Sequence, residues 1–234
     1  MNEPDPVVRE KLWNEYRRYK GLEEPDEEGA GQEPRWKQSY DAGYTDRNGA
    51  HAGGSEIMHL VAHKGKLYAA NGYWVDSRWV IPPDAEKQSA QVLRLDTAGG
   101  QWQVDLDFGK ANDFGLIYMK GNILKSVTFT RDAVGKPLEK PRNLLVMASG
   151  ANFERGGAVS AWVRDDESGK WIHTLVRHGS TAGGVRWVPR DMEVYRDKVT
   201  GIERLFLLLG NPGVTSGVYD PSIAGGIHWD RHVE

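Results

Sequence analysis

The sequence predicts an all-β chain of about three four-stranded antiparallel units, and three observations predict it. A strand–turn–tryptophan motif occurs three times, and repetition at this scale implies copies of one supersecondary unit. The copies are Val92-Leu93-Arg94-Leu95-Asp96, Gly99-Gly100, Trp102-Gln103-Val104; then Val159 to Asp165, Gly169, Trp171-Ile172-His173; then Gly217 to Asp220, Gly225-Gly226, Ile227-His228-Trp229. Val104 to Phe108 and Lys125 to Thr130 alternate in polarity, as half-buried strands do. Leu144 to Ala148 and Leu205 to Leu209 are short apolar runs that fit strands buried on both faces.

Aligning the copies gives unit one at about 54–109, unit two at 121–176 and unit three at 185–234. In each, strand a leads through a hairpin to strand b: Lys64-Gly65-Lys66, Asp132 to Arg142, and Arg196 to Glu203. Strand b ends in a small polar cluster: Ala70-Asn71-Gly72, Ser149-Gly150, or Gly210-Asn211-Pro212-Gly213. Strands c and d form the tryptophan hairpin. Four-stranded units with glycine and aromatic marks at fixed places are the signature of β-propeller blades.

Residues 36–234 therefore form the repeat domain, and residues 1–35 precede it. Asp5-Pro6 supplies a helix cap and first position. Val8, Leu12, Tyr16 and Tyr19 give that N-terminal amphipathic helix one apolar face, and Gly21 stops it. Residues 22–35 are acidic and rich in proline and glycine, a linker or surface crossing.

The repeats resemble bacterial β-propeller proteins of uncharacterised function, kelch-like or with tryptophan-rich blades. The resemblance rests on Lys66 to Trp74, Leu124 to Thr130, Tyr195 to Gly201 and Ser216 to Pro221, and covers roughly residues 55–230. It implies a propeller fold and carries no activity; the full consensus motifs of those blade types are absent. Three blades fall short of the four or more that close a ring. Three routes to closure stand open: a homo-oligomer, with a dimer of two half-propellers favoured; a longer parent chain; or an open sandwich.

Strand direction puts the b–c and d–a connections at one end of every unit. Ligand sites of repeat folds gather on such loop-bearing ends. The first b–c connection holds Asn71, Tyr73, Trp74, Asp76, Arg78 and Trp79; the second holds Asn152, Phe153, Glu154 and Arg155; the third holds Asn211. The d–a connections add Asn112, Asp113 and Tyr118, then His178 and Arg186. Aromatic rings beside Asn, Asp and Arg stack on an apolar face while fixing hydroxyls or carboxylates, which suits a saccharide-like ligand. The competing reading makes this stretch a cap that packs its tryptophans on the blade. Nine tryptophans against five phenylalanines fit either use.

Other chemistry is weaker. His59 and His63 share a helical face, but the flanking turn residues argue for a strand, where they lie about 13 Å apart, too far for one metal ion. Asp191 and Glu193 share a strand face, and pairing with basic neighbours such as Arg190 and Arg196 explains them better than acid–base catalysis. Asp105 and Asp107 read as the wet face of an outer strand. Asp165 to Gly169 is a turn, without the alternating ligands of a calcium loop. There is no cysteine, phosphate loop, dinucleotide fingerprint or nucleophile elbow, and no cofactor is expected. The net charge of −3 disfavours a nucleic-acid partner, and its excess acid sits in residues 1–35, with ten acids against six bases. No run of about 18 apolar residues exists, so no membrane partner is expected. The compartment stays open, a mature secreted chain included. A binding module leads; a polysaccharide lyase or hydrolase using His, Tyr or Arg of the same loops, and a structural assembly unit, are the alternatives.

Overall fold

A computed structural model of the chain describes residues 38–73, 89–110, 118–151, 157–179, 188–210 and 213–230. The chain divides into two compact units, Met1–Gln38 and Ser39–Glu234. The N-terminal amphipathic helix expected from Val8 to Tyr19 lies outside the described residues. The second unit is all-β there, in four antiparallel sheets.

Three of the sheets are four-stranded meanders, each made of consecutive strands. The first contains β3 (Glu56–His63), β4 (Lys66–Gly72), β5 (Gln91–Leu95) and β6 (Gln103–Asp107). The second contains β7 (Ile123–Arg131), β8 (Pro137–Gly150), β9 (Gly157–Arg164) and β10 (Trp171–Gly179). The third contains β11 (Asp191–Arg196), β12 (Glu203–Leu208), β13 (Val214–Tyr219) and β14 (Ile227–Trp229). A short hairpin, β1 (Tyr44–Thr45) with β2 (His51–Ala52), precedes them.

The hairpins form where the sequence supplies their turn chemistry. Lys64 and Gly65 both take positive φ, 45° and 74°, as a two-residue turn matched to strand twist requires. In the longer turns an aspartate folds its carboxylate back onto the backbone. Asp132 Oδ1 accepts from the amides of Val134 and Lys136, Asp165 Oδ1 from Glu167, Asp197 Oδ1 from Val199 and Thr200, and Asp220 Oδ1 from Ser222. These bonds pre-form the turn, so hairpin register is set locally.

Packing between the sheets follows from strand order. The first strand of the second sheet, β7, lies against β3 on one side and β11 on the other. Tyr68, Val92, Leu106, Phe108, Leu145, Met147 and Trp162 fill the core between the first and second sheets. Phe108 stacks on Trp162 with ring centres 4.7 Å apart, and Tyr118 meets Trp162 edge-on. Phe129, Val146, Val163, Leu205, Leu207 and Trp229 fill the core between the second and third.

Residues 39–53 cover the β4, β5 and β6 side of the first sheet's outer face and leave Ile57 and Leu60 of β3 exposed. Ala52, Tyr40 and Tyr44 pack on Ala69, Leu93, Leu95 and Trp102. Asp46 fastens this cap, accepting from the amides of Asn48 and Ala50 through Oδ1 and from Val104 through Oδ2. Tyr44 donates its hydroxyl to the Trp102 carbonyl at 2.6 Å. The described tryptophans Trp102, Trp162, Trp171 and Trp229 are all packing residues; the other five fall outside the described residues.

One expectation fails here. Asp105 does not face water: its side chain is 2 % exposed. Pairing of β5 with β6 runs Val92 to Leu106 and then Leu93 to Val104, which leaves Asp105 as a bulge. The bulge breaks the alternation, so Val104 packs under the cap while Leu106 and Phe108 enter the core between sheets. Asp105 is thereby aimed at the second sheet.

Candidate functional site

The two ends of the sheets differ in chemistry. At the end of the a–b and c–d hairpins, a polar cluster locks the first sheet to the second. Asp105 accepts hydrogen bonds from Arg164 Nε at 2.8 Å, Trp171 Nε1 at 2.8 Å and Arg94 Nη1. Arg94 also reaches Asp96 at 2.9 Å, and Arg164 reaches Asp166 at 3.0 Å. The Arg164 guanidinium sits 5.4 Å from the Tyr68 ring centre. Burial pushes the Tyr68 hydroxyl up to about 12, against the pull of the Arg164 charge.

A serine, a histidine and an aspartate line up within this cluster. His63 Nδ1 lies 2.9 Å from Ser126 Oγ, and Nε2 lies 3.1 Å from Asp166 Oδ2. The order resembles a nucleophile, a base and an orienting acid. Its surroundings point elsewhere. The His63 side chain has no exposed surface, and Lys64 Nζ holds the same Asp166 carboxylate at 2.6 Å. Ser126 Oγ is already shared with the Asn143 side-chain amide at 3.1 Å. The three residues tie β3, β7 and the β9–β10 turn together. Burial alone raises the Asp166 carboxyl; hydrogen bonds from Lys64, His63 and Arg164 outweigh it and hold the group below the usual range.

His59, read from sequence as a strand residue unsuited to share a metal ion with His63, bonds through Nε2 to the Asn122 carbonyl. Among the described residues no cluster of His, Asp and Glu could hold a metal ion. Asp191 and Glu193 pair with Lys125 of β7, at 3.7 and 2.5 Å, rather than with Arg190 or Arg196. The second–third sheet junction is closed by Glu203, whose carboxylate accepts from the Thr130 amide and hydroxyl and the Arg131 amide.

The opposite end carries the b–c and d–a connections, which run through residues 73–90, 108–122, 151–156, 180–190 and 209–213. Of the residues that the sequence places there, Asn71 and Tyr73 are buried. Asn71 Nδ2 donates to the Gly53 carbonyl at 2.7 Å, and its Oδ1 accepts from the Gln91 amide at 2.6 Å. Asn71 thus joins the cap, β4 and β5. The Tyr73 amide donates to the Met119 carbonyl at 2.9 Å. Tyr118 is buried, its hydroxyl 2.6 Å from Ser160 Oγ. Burial raises that hydroxyl's pKa, and the Ser160 bond opposes the rise. These three residues are buried at that end of the first and second sheets. His178 pairs with Ala158 in the sheet. Trp74, Asp76, Arg78, Trp79, Asn112, Asp113, Asn152, Phe153, Glu154, Arg155, Arg186 and Asn211 lie outside the described residues.

The hairpin-end cluster escaped the reading of the sequence, although a signal was present. Arginine precedes the turn aspartate in the first and second copies, as Arg94 before Leu95-Asp96 and Arg164 before Asp165. The third copy has Val218-Tyr219-Asp220 and takes no part in the cluster.

No protein-family model and no curated protein matches the chain.

Proposed function

We propose that the three meanders are blades of a propeller-type array, and that the array is a binding module taking a saccharide-like ligand over its connection end. The observation that carries this is the contrast between the ends. The acids of the hairpin end serve structure: turn carboxylates hold their own backbones, and the Asp105 and Asp166 clusters serve the sheet junction. The connection end holds the three longest segments between strands, 73–90, 108–122 and 180–190, and the sequence of the first collects Trp74, Asp76, Arg78 and Trp79. The side-by-side position of β3, β7 and β11 supports the propeller-type arrangement, in which first strands line the axis.

Titration of the full chain against a panel of neutral and acidic oligosaccharides tests the reading. Binding that weakens about tenfold or more in Trp74→Ala and Arg78→Ala supports it. Equal binding by both variants, or no binding across the panel, overturns it.

Self-association belongs to the same proposal. The outer face of the third sheet leaves Tyr195, Leu208 and Val214 exposed. Light scattering near twice the 26.2 kDa chain mass supports a dimer; a particle at the chain mass refutes it.

A further inference from the structure

Among the described residues the two most exposed large apolar side chains are Val134, 80 % exposed, and Val199, 94 % exposed. They occupy the same position in two different turns. Val134 stands two residues after Asp132 in the β7–β8 turn, and Val199 two residues after Asp197 in the β11–β12 turn. Each valine amide donates to its own aspartate, at 3.1 and 2.9 Å. In the turns opened by Asp46, Asp165 and Asp220 the equivalent residue is Asn48, Glu167 or Ser222, all polar. The turn geometry therefore does not demand valine.

The two valine-bearing turns lie side by side. A Cβ placed on Gly135 would stand 3.5 Å from Ile202 Cγ1 and from the Thr200 carbonyl oxygen. Around the pair the outward charges are basic: Lys136, Arg196 and Lys198 are exposed, and Arg131 is half-buried with its Nη1 on the Gly135 carbonyl. The acids of the two tips are engaged by the turns, half-exposed at Asp132 and Asp197 and buried at Glu203, and the bases around them outnumber them. Asp132 and Asp197 hold turn amides, and Glu203 holds Thr130 and Arg131. One exposed acid, Glu139, is matched by exposed Lys140 and Arg142 on the same strand.

We propose that these two tips form a docking surface for an anionic phospholipid bilayer, with Val134 and Val199 entering the headgroup–acyl boundary and the lysines and arginines meeting lipid phosphates. Apolar tips on pre-formed turns lose little conformational entropy on insertion, and basic flanks supply the attraction that two small side chains lack. The charge pattern selects an anionic surface over a zwitterionic one. Both tips belong to a–b hairpins, opposite the connection end, so a docked molecule would present its connections to solution.

Sedimentation with vesicles tests this, using the full chain. One vesicle set contains equal parts phosphatidylcholine and phosphatidylserine, and the other phosphatidylcholine alone. The expected result is co-sedimentation with the first set, little with the second, and release by salt. The paired variant Val134→Ser with Val199→Ser keeps the charge and should lower the bound fraction roughly tenfold. Lys136→Gln with Lys198→Gln keeps the valines and should lower it as well. All four positions are exposed, and circular dichroism matching the parent confirms folding. Failure to bind the mixed vesicles, or equal binding by the serine pair, overturns the proposal. Retained vesicle binding without any saccharide binding would separate this surface from the connection-end reading.

Discussion

Replacing Asp105 with alanine removes the acceptor that joins Arg94, Arg164 and the Trp171 indole across the first sheet junction. Arg164 is left with a side chain only 6 % exposed, and Trp171 loses the partner of its N–H. Breaking a buried ion pair by deleting one partner costs about 3–5 kcal/mol. Here the lower limit applies, because Arg94 retains Asp96 and Arg164 retains Asp166. A loss of about 3 kcal/mol is expected, which for a domain of this size lowers Tm by roughly 6–12 °C. Equilibrium urea unfolding gives the free energy, and calorimetry gives the Tm. Asp105→Asn keeps an acceptor for Trp171 and should recover part of the loss. Asp107→Ala, two residues along the same strand, removes a long surface pair to Lys110 and an exposed bond from the Gly109 amide, and should cost about 1 kcal/mol. If Asp105→Ala costs no more than Asp107→Ala, Asp105 is solvated and the bulge-directed cluster is wrong.

Glu203→Gln weakens the clamp on Thr130 and Arg131 and should destabilise by about 1–3 kcal/mol, read by urea unfolding; an unchanged midpoint would show that the second–third junction does not depend on it. Gly121→Ala should cost about 1–3 kcal/mol, because its methyl would stand 2.7 Å from Ala70 Cβ and 3.1 Å from the Asn71 carbonyl, neither of which is a flexible end; wild-type stability by the same assay would contradict the tight junction. Asp96 and Asp166 both titrate below the usual range when folded, Asp96 first through its Lys66 hydrogen bond and Asp166 through bonds that outweigh burial. Their contribution is therefore complete above the unfolded value of about 3.9 and is lost as pH falls through the folded values. Urea midpoints measured against pH should decline on acidification through that window, less steeply in Asp166→Asn; identical slopes would remove Asp166 from the account.

Much of the sheet architecture is legible in the sequence because it is local. The Asp…Gly turns carry their own hydrogen bonds, and the copies that end in Trp102, Trp171 and Trp229 mark the c–d hairpins. What escapes is decided by neighbours distant in sequence. Asp105 alternates correctly along its strand, yet a one-residue bulge turns it into the junction, and only the arrival of Arg164 from the second sheet makes that burial tolerable. The cap formed by residues 39–53 escapes likewise, since two-residue strands such as Tyr44–Thr45 leave almost no periodicity. Of the candidate site, Asn71 and Tyr73 have the residue types of a binding loop but are drawn inward by Gly53, Gln91 and Met119. Polar type alone does not tell an exposed side chain from one bonded inside the fold.

The cap has one more effect: it makes the outer faces of the first and third sheets unequal. Residues 39–53, seated on Ala69, Leu93 and Trp102, hide the β4, β5 and β6 side of the first sheet and leave Ile57 and Leu60 of β3 exposed. The third sheet presents Tyr195, Leu208 and Val214 from three adjacent strands. A further sheet laid on the first would meet the cap and one strand edge, whereas one laid on the third would meet an apolar strip that crosses β11, β12 and β13.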